Sequence, residues 1–436
     1  MKKKLLSAVL CVAMTATMVV GCGNSNNSNS ADSNAADNSA AAATTETEAK
    51  AAGPVATDET VALTLWGAED DQSMLQEMVD SFEAANPDQK FDITIGVQSE
   101  STAKDTVLTD IEAAADVFAF ADDQLNELVN AGALQAVQDV DTISSENSEG
   151  SVEAATLDDK LYAYPYTADN GYFMMYNKQY FKDADITTLD QMLKVAADNG
   201  KSVAMDWSSA WYIYSFFGGA GLDVSLNDDG VTTACNWNAT DTKIKGADVA
   251  QAMLDISKSG GFKSMTDSEI QTGMADGSVI AAVEGTWAGE AAKAAWGDNY
   301  AACKLPTYTC AGDQVQMSSF AGYKLLGVNA YSKNVGWAME LAKWITNEDN
   351  QTLHFTEKGM GPSNIKAASS DAVKQSVAIN ALIEQSDYAT LQRVGANYWD
   401  PVATFGAIMV DGNSENQDLQ TLLDNTVAGV TADVVE

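Results

Sequence analysis

The side chains here that could do chemistry are aromatic rings and carboxylates, gathered where the chain changes direction. From Leu161 to Lys178 (LYAYPYTADNGYFMMYNK) five tyrosines, Tyr162, Tyr164, Tyr166, Tyr172 and Tyr176, surround one acid, Asp169, and one amide, Asn170. Inward packing of a hairpin accounts for most of the five, which leaves the turn Thr167 to Gly171 and its rim for a ligand. Further on, Trp211 and Tyr212 sit in an aromatic-rich helix, and Trp287 follows Glu284-Gly285-Thr286, where a strand turns into a helix between glycines. Ring faces cover apolar surface, while carboxylates and amides exchange several hydrogen bonds with a polar rim. That is equipment for holding a molecule. Neither a Ser-His-Asp or Cys-His set nor a metal site is legible in the sequence. The one histidine, His354, lies in a polar helical stretch that reads as surface, no nucleophile elbow occurs, and no Cys/His set has metal-ligand spacing. No catalytic residue, metal or cofactor is expected.

Two α/β units position these residues. Val61, Leu63 and Leu65 alternate as a strand ending at Gly67 to Asp71, and Met74, Met78, Val79 and Phe82 line one face of the next helix. Phe91 to Val97 predicts a second strand, Thr102 to Ala114 a helix, and Asp116 to Phe120 a third strand running into Ala121-Asp122-Asp123. This βαβαβ order implies a parallel sheet with right-handed crossovers, and ligands sit beyond the carboxyl ends of such strands. Glu69, Asp70, Phe120 and Asp123 fall there; Asp122 reads better as a helix cap. After the crossing, Ser202 to Met205 and Ser278 to Val283 predict strands. Ser208 to Phe217 predicts a helix with too many aromatics for one buried stripe. Lys304 to Tyr308 makes a second crossing, Phe320 to Val328 is a strand, and helices finish the chain. Lobe boundaries are expected at 57–169 with 311–368, and 170–310 with 369–436.

The start of the chain is a separate matter. Lys2-Lys3-Lys4 precede an apolar run from Leu5 to Val20 and then Gly21-Cys22, the pattern of a secretory signal. A small residue before a cysteine resembles the bacterial lipobox, which implies lipid modification of Cys22. Residues 22–56 are mostly Asn, Ser, Ala, Thr and acids, too poor in apolar side chains to fold. They predict a tether with a reach on the order of 30 Å. The formal charge is −38, and −41 without the three signal lysines, which argues against nucleic acid and anionic membrane as partners. Beyond the leader and Cys22 there are Cys235, Cys303 and Cys310, so at most one internal disulfide can form; Cys303 and Cys310 flank a candidate hairpin.

Taken in order, the stretches LTLWGAEDD, DVFAFADDQLNELVNAGAL, LYAYPYTADNGYFMMYNK, IAAVEGTWAG, CKLPTYT, AGYKLLGVNAYSKNVGWAMELAKWIT and GMGPSN resemble the sugar-binding proteins of ATP-driven importers. The similarity is greatest to the maltose/maltodextrin-binding branch of the family-1 solute-binding proteins, and it spans residues 58 to 434. The resemblance implies a two-lobed periplasmic-binding-protein-like fold, each lobe a mostly parallel sheet flanked by helices, joined by a multi-strand hinge that closes on ligand. It implies an exported monomer that captures maltooligosaccharides and hands them to the importer's permease subunits, touching membrane only through its lipid. It assigns the stacking tryptophan to Trp287, the paired aromatics to Trp211 and Tyr212, and the strand-end aromatic and acid to Phe120 and Asp123. The crossing acid falls on Asp169, the first-loop acid on Glu69 or Asp70, and the C-terminal aromatic on Phe405, with Tyr398 and Trp399 as competitors. The sequence departs from the pattern at Ser209, where a glutamate is expected, and at Gln124, where an arginine is expected. A pyranose, with one apolar face and a rim of hydroxyls, suits this residue set. Xylo- or fructo-oligosaccharides are the alternative ligands. A glycoside hydrolase using paired carboxylates is the alternative from another class.

Overall fold

The computed structural model describes residues 54–227 and 229–433. Cys22 and most of the expected tether lie outside the described residues. Two five-stranded sheets organise the chain. The first runs in the order Lys90–Val97, Thr60–Gly67, Val117–Ala121, Lys324–Val328, Ala163–Thr167. Its first three strands are parallel, and Lys324–Val328 is antiparallel to both of its neighbours. The second runs Phe262–Ser264, Ser202–Met205, Val279–Glu284, Phe173–Asn177, Tyr300–Cys303, again with three parallel strands followed by antiparallel ones. Each sheet anchors a lobe with its own apolar core. The helix Gln72–Ala85 closes the first core with Met74, Leu75, Met78, Val79 and Phe82, a stripe at 3.6-residue spacing.

The chain passes between lobes at the turn Ala168 to Tyr172, and returns through the hairpin Thr307–Cys310/Asp313–Gln316 and the short strand Ser319–Ala321. It passes a third time between the helices Ile365–Ala368 and Val377–Ser386, the latter packed on the second sheet, and Ala389–Leu391 then pairs in parallel with Ser319–Ala321. The helices Trp399–Val410 and Leu419–Val430 then pack on the second lobe. No described helix is long and apolar enough to cross a membrane.

Several local expectations change, each for a visible reason. The helix from Ala103 ends at Thr109, not Ala114, because Asp110 turns its carboxylate onto the Ala113 N–H (3.2 Å) and diverts the backbone. The strand expected over Phe320 to Val328 breaks at Gly322-Tyr323, where the Tyr323 N–H donates to Asp122 (2.9 Å). Asp122 is therefore no helix cap; its other oxygen accepts from Arg393 at 2.6 Å. The aromatic helix Ala210–Phe217 is buried on nearly all sides between the C-terminal helices and the crossing strands, which is why it carries no polar face. His354 is buried, not on the surface: its helix turns Asn350, Gln351 and His354 inward, and the imidazole stacks on Tyr166 at 4.6 Å. Cys235, Cys303 and Cys310 are all free thiols. Cys303 sits at the sheet edge and Cys310 in the hairpin, so no bridge joins them.

Candidate functional site

A cleft of about 740 Å³ opens between the lobes. Its second-lobe face is aromatic. Trp211 and Trp287 lie side by side, ring centroids 5.7 Å apart and planes 36° apart, with Tyr212 5.3 Å from Trp211. The geometry of this floor follows from local sequence. Trp287 folds its ring back over Gly285, where an added Cβ would lie 2.1 Å from the indole, so only glycine fits. Its Nε1 donates to Glu284 Oε2 at 3.0 Å. Trp211 Nε1 donates to Gln392 Oε1 at 2.6 Å, and Tyr172 packs its ring edge on Trp211 at 4.7 Å. Trp399 lines the cleft from the start of its helix.

The first-lobe face is polar. Ser99, Glu100 and Ser101 come from the loop after Lys90–Val97, Lys104 from the helix that follows it, Asp123 and Gln124 from the turn after Val117–Ala121, and Lys324 from the start of the strand Lys324–Val328. Gln124 ties the two loops together, accepting from the Lys104 N–H (2.8 Å) and donating to the Glu100 carbonyl (2.6 Å). Burial, and then the neighbouring Asp122, push the Asp123 carboxyl up to about 7. Burial works against the Lys324 ammonium, yet Glu100, 3.5 Å away, holds it above its usual value. Lys324 Nζ also stands 5.9 Å from the centre of the Trp287 ring, a cation facing a π surface across the cleft. Beneath this face Asp71 is pushed up to about 6, chiefly by burial, and burial drives His354 down to about 3. Among the described residues no group of three or more His, Cys, Asp or Glu side chains could hold a metal.

The residues expected from sequence divide accordingly. Trp287, Trp211, Tyr212, Trp399, Asp123 and Asn170 all line the cleft. Phe120 does not. It is fully buried one position short of its strand's end, 5.8 Å from Phe118, in a strand whose five residues are all covered. Phe405 does not either: six residues along a helix is about 240° of rotation from Trp399, which turns it into the core against Phe217. Asp169 is a buried hinge clamp, its Oδ2 accepting from Thr286 Oγ1 and from the Gly361 N–H (2.6 Å). Glu69 and Asp70 are exposed in a short 3-10 turn and do not line the cleft. The sequence reading missed Glu100, Lys104, Lys324, Gln392 and Asp267. Ser99 and Glu100 follow a predicted strand, so the strand-end rule pointed at them. Lys324 and Gln392 reach the cleft only through long-range strand pairing.

Two lobes on separate sheets, three crossings and one ring-floored cleft define a binding protein of the two-lobed solute-capturing class. The chain belongs to the family of bacterial extracellular solute-binding proteins, which matches over residues 77–381. A galactooligosaccharide-binding protein of Bacillus subtilis (strain 168) is 25% identical over 355 residues, covering 75% of this chain and 78% of the relative. A structure solved with acarbose is 29% identical with a TM-score of 0.76, over 86% of this chain and 99% of its own. The maltodextrin-binding protein MalE1 from L. casei BL23, solved without ligand, is 24% identical with a TM-score of 0.71, over 86% of this chain and all of its own (100%).

Proposed function

We propose that this protein captures an oligosaccharide in the cleft and passes it to the permease subunits of an ATP-driven importer, tethered outside the cell by a lipid on Cys22. The observation that carries the reading is the Trp211/Trp287 floor facing a rim of carboxylates, amides and ammonium groups. Adjacent rings suit adjacent pyranoses, and the rim suits their hydroxyls. α-1,4-linked glucose oligomers are the preferred ligand, supported by neighbours described with acarbose and maltodextrin. The Bacillus relative favours a second reading, galactose oligomers. The lobes are taken as 57–169 with 311–368 and 170–310 with 369–436, closing on the sugar about the three crossings.

The protein binds without cleaving. Calorimetry with maltotriose, maltotetraose and galacto-oligosaccharides separates the sugars. Heat from the maltose series with little from glucose is expected; heat from the galactose series alone transfers the assignment to the second reading. Reducing ends appearing over a long incubation would instead make it a hydrolase.

A further inference from the structure

We infer that Glu284 is a positioning residue, a neutral carboxyl group that pins Trp287 and Tyr212 into the single arrangement the ligand stacks on. The inference rests on the oligosaccharide reading and adds to it the group that shapes the floor.

Glu284 ends the strand Val279–Glu284 and is fully buried. One oxygen, Oε2, accepts from both Tyr212 Oη and Trp287 Nε1, each at 3.0 Å. The other, Oε1, is buried with no hydrogen-bond partner. An ionised carboxylate with one oxygen orphaned in the interior is costly, whereas a neutral acid needs only one acceptor oxygen to serve two donors. The geometry favours the neutral form: a carbonyl at Oε2 receives both bonds, and an unpaired O–H at Oε1 costs less than an unpaired charge there. The charged neighbours agree. Burial first, then Asp267 and more weakly Asp206, push Glu284 up to about 8 against the downward pull of the bonds donated by Tyr212 and Trp287.

The two donors come from different elements, Tyr212 from the helix Ala210–Phe217 and Trp287 from the turn after the strand. No backbone bond fixes one ring relative to the other. Glu284 supplies that link, and Gly285 leaves the indole its seat. Rings held in place before the sugar arrives spare the ordering cost that binding would otherwise carry. Glu284 does not touch the ligand; it acts through the two rings.

The test compares wild type, Glu284→Gln and Glu284→Leu by near-UV circular dichroism of the free protein, melting temperature, and maltotriose calorimetry at about pH 6.5, below the carboxyl's transition. Glutamine presents a carbonyl where Oε2 sits and an amide in place of the protonated oxygen. Its spectrum should match wild type, with affinity within about threefold. Leucine fills the volume without an acceptor. Its tryptophan bands should change and its affinity should fall about tenfold or more. Wild-type affinity and spectrum in the leucine variant would overturn the inference, as would a glutamine variant as weak as leucine. If wild type gives no heat with maltotriose, the ligand reading fails, and the free-protein spectra still decide the pin. If the leucine variant does not fold, tryptophan fluorescence titrated through about pH 8 decides. With Asp123→Asn in both backgrounds, a transition present with Glu284 and absent with glutamine supports the pin; the same transition in both, or none with Glu284, overturns it.

Discussion

The second lobe meets the cleft with rings, Trp211, Tyr212, Trp287 and Trp399, and the first lobe with Ser99, Glu100, Lys104, Asp123 and Lys324. The two faces are built differently. Each ring is the exposed edge of something otherwise packed: Tyr172 and Gln392 hold Trp211, and Glu284 and Gly285 hold Trp287. The polar groups come from the loops after two strands, from a helix start and from a sheet strand, and are kept in register by Gln124 and by pairing with one another. The rings thus belong to one lobe, while hydrogen-bonding groups come mainly from the other, with Asp267 and Gln392 as the second lobe's share.

Changing pH should act most broadly, because burial raises acids in both lobes. Asp71 at about 6, Asp123 at about 7 and Glu284 at about 8 all lie above the usual carboxylate range. Between those values and the ordinary range near 4, the folded state holds protons that the unfolded state has lost, so stability falls as pH rises. His354, held down to about 3, has the opposite sign, costing stability as pH drops below its ordinary value near 6.5. Three carboxyls outweigh one imidazole where the windows overlap. The melting temperature of the free protein should therefore climb from about pH 8.5 toward pH 5; a flat or rising profile with pH would show that these acids are ionised.

Next in size is Phe120→Ala. Its ring fills the first lobe's core, so truncation should cost about 3–5 kcal/mol of stability. Denaturant titration measures this, and surviving folded protein should bind maltotriose normally. Trp287→Ala should do the reverse, lowering affinity by about 2 kcal/mol or more, beyond tenfold, with little change in melting. If the two variants traded behaviours, the assignment of rings to core and cleft would be wrong. The smallest effect is expected from Gln124→Ala, which removes two bonds between first-lobe loops. Affinity should weaken several-fold, about 1 kcal/mol, with the tryptophan spectrum unchanged; a spectral change would mean that the faces are not independent.

The sequence shows one face better than the other for a physical reason. Trp287 is legible because a local motif, strand then Gly-Thr-Trp then helix, both creates the turn and presents the ring. Phe120 misleads because every residue of Val117–Ala121 is buried, so alternation gives no inside and outside to read. Asp169 lies in the crossing as expected, yet it serves the hinge, since Thr286 and Gly361 reach it first. Glu100 was within reach of the strand-end rule. Lys324 and Gln392 depend on strands that pair with distant parts of the chain, Lys324–Val328 with Ala163–Thr167 and Ala389–Leu391 with Ser319–Ala321, and no local pattern encodes that. His354 hides in a helix that turns Asn350, Gln351 and His354 inward, and composition alone reads such residues as solvent-facing.

The free cysteines have a consequence for life outside a cell. Burial, ahead of every other influence, lifts Cys235 and Cys310 to about 11 and Cys303 to about 12. At neutral pH these sulfurs are almost wholly thiols, and the thiolate is the species that attacks disulfides and scavenges oxidants. Among the described residues, these three sulfurs are thus slow to exchange with disulfides or oxidants for as long as the chain stays folded.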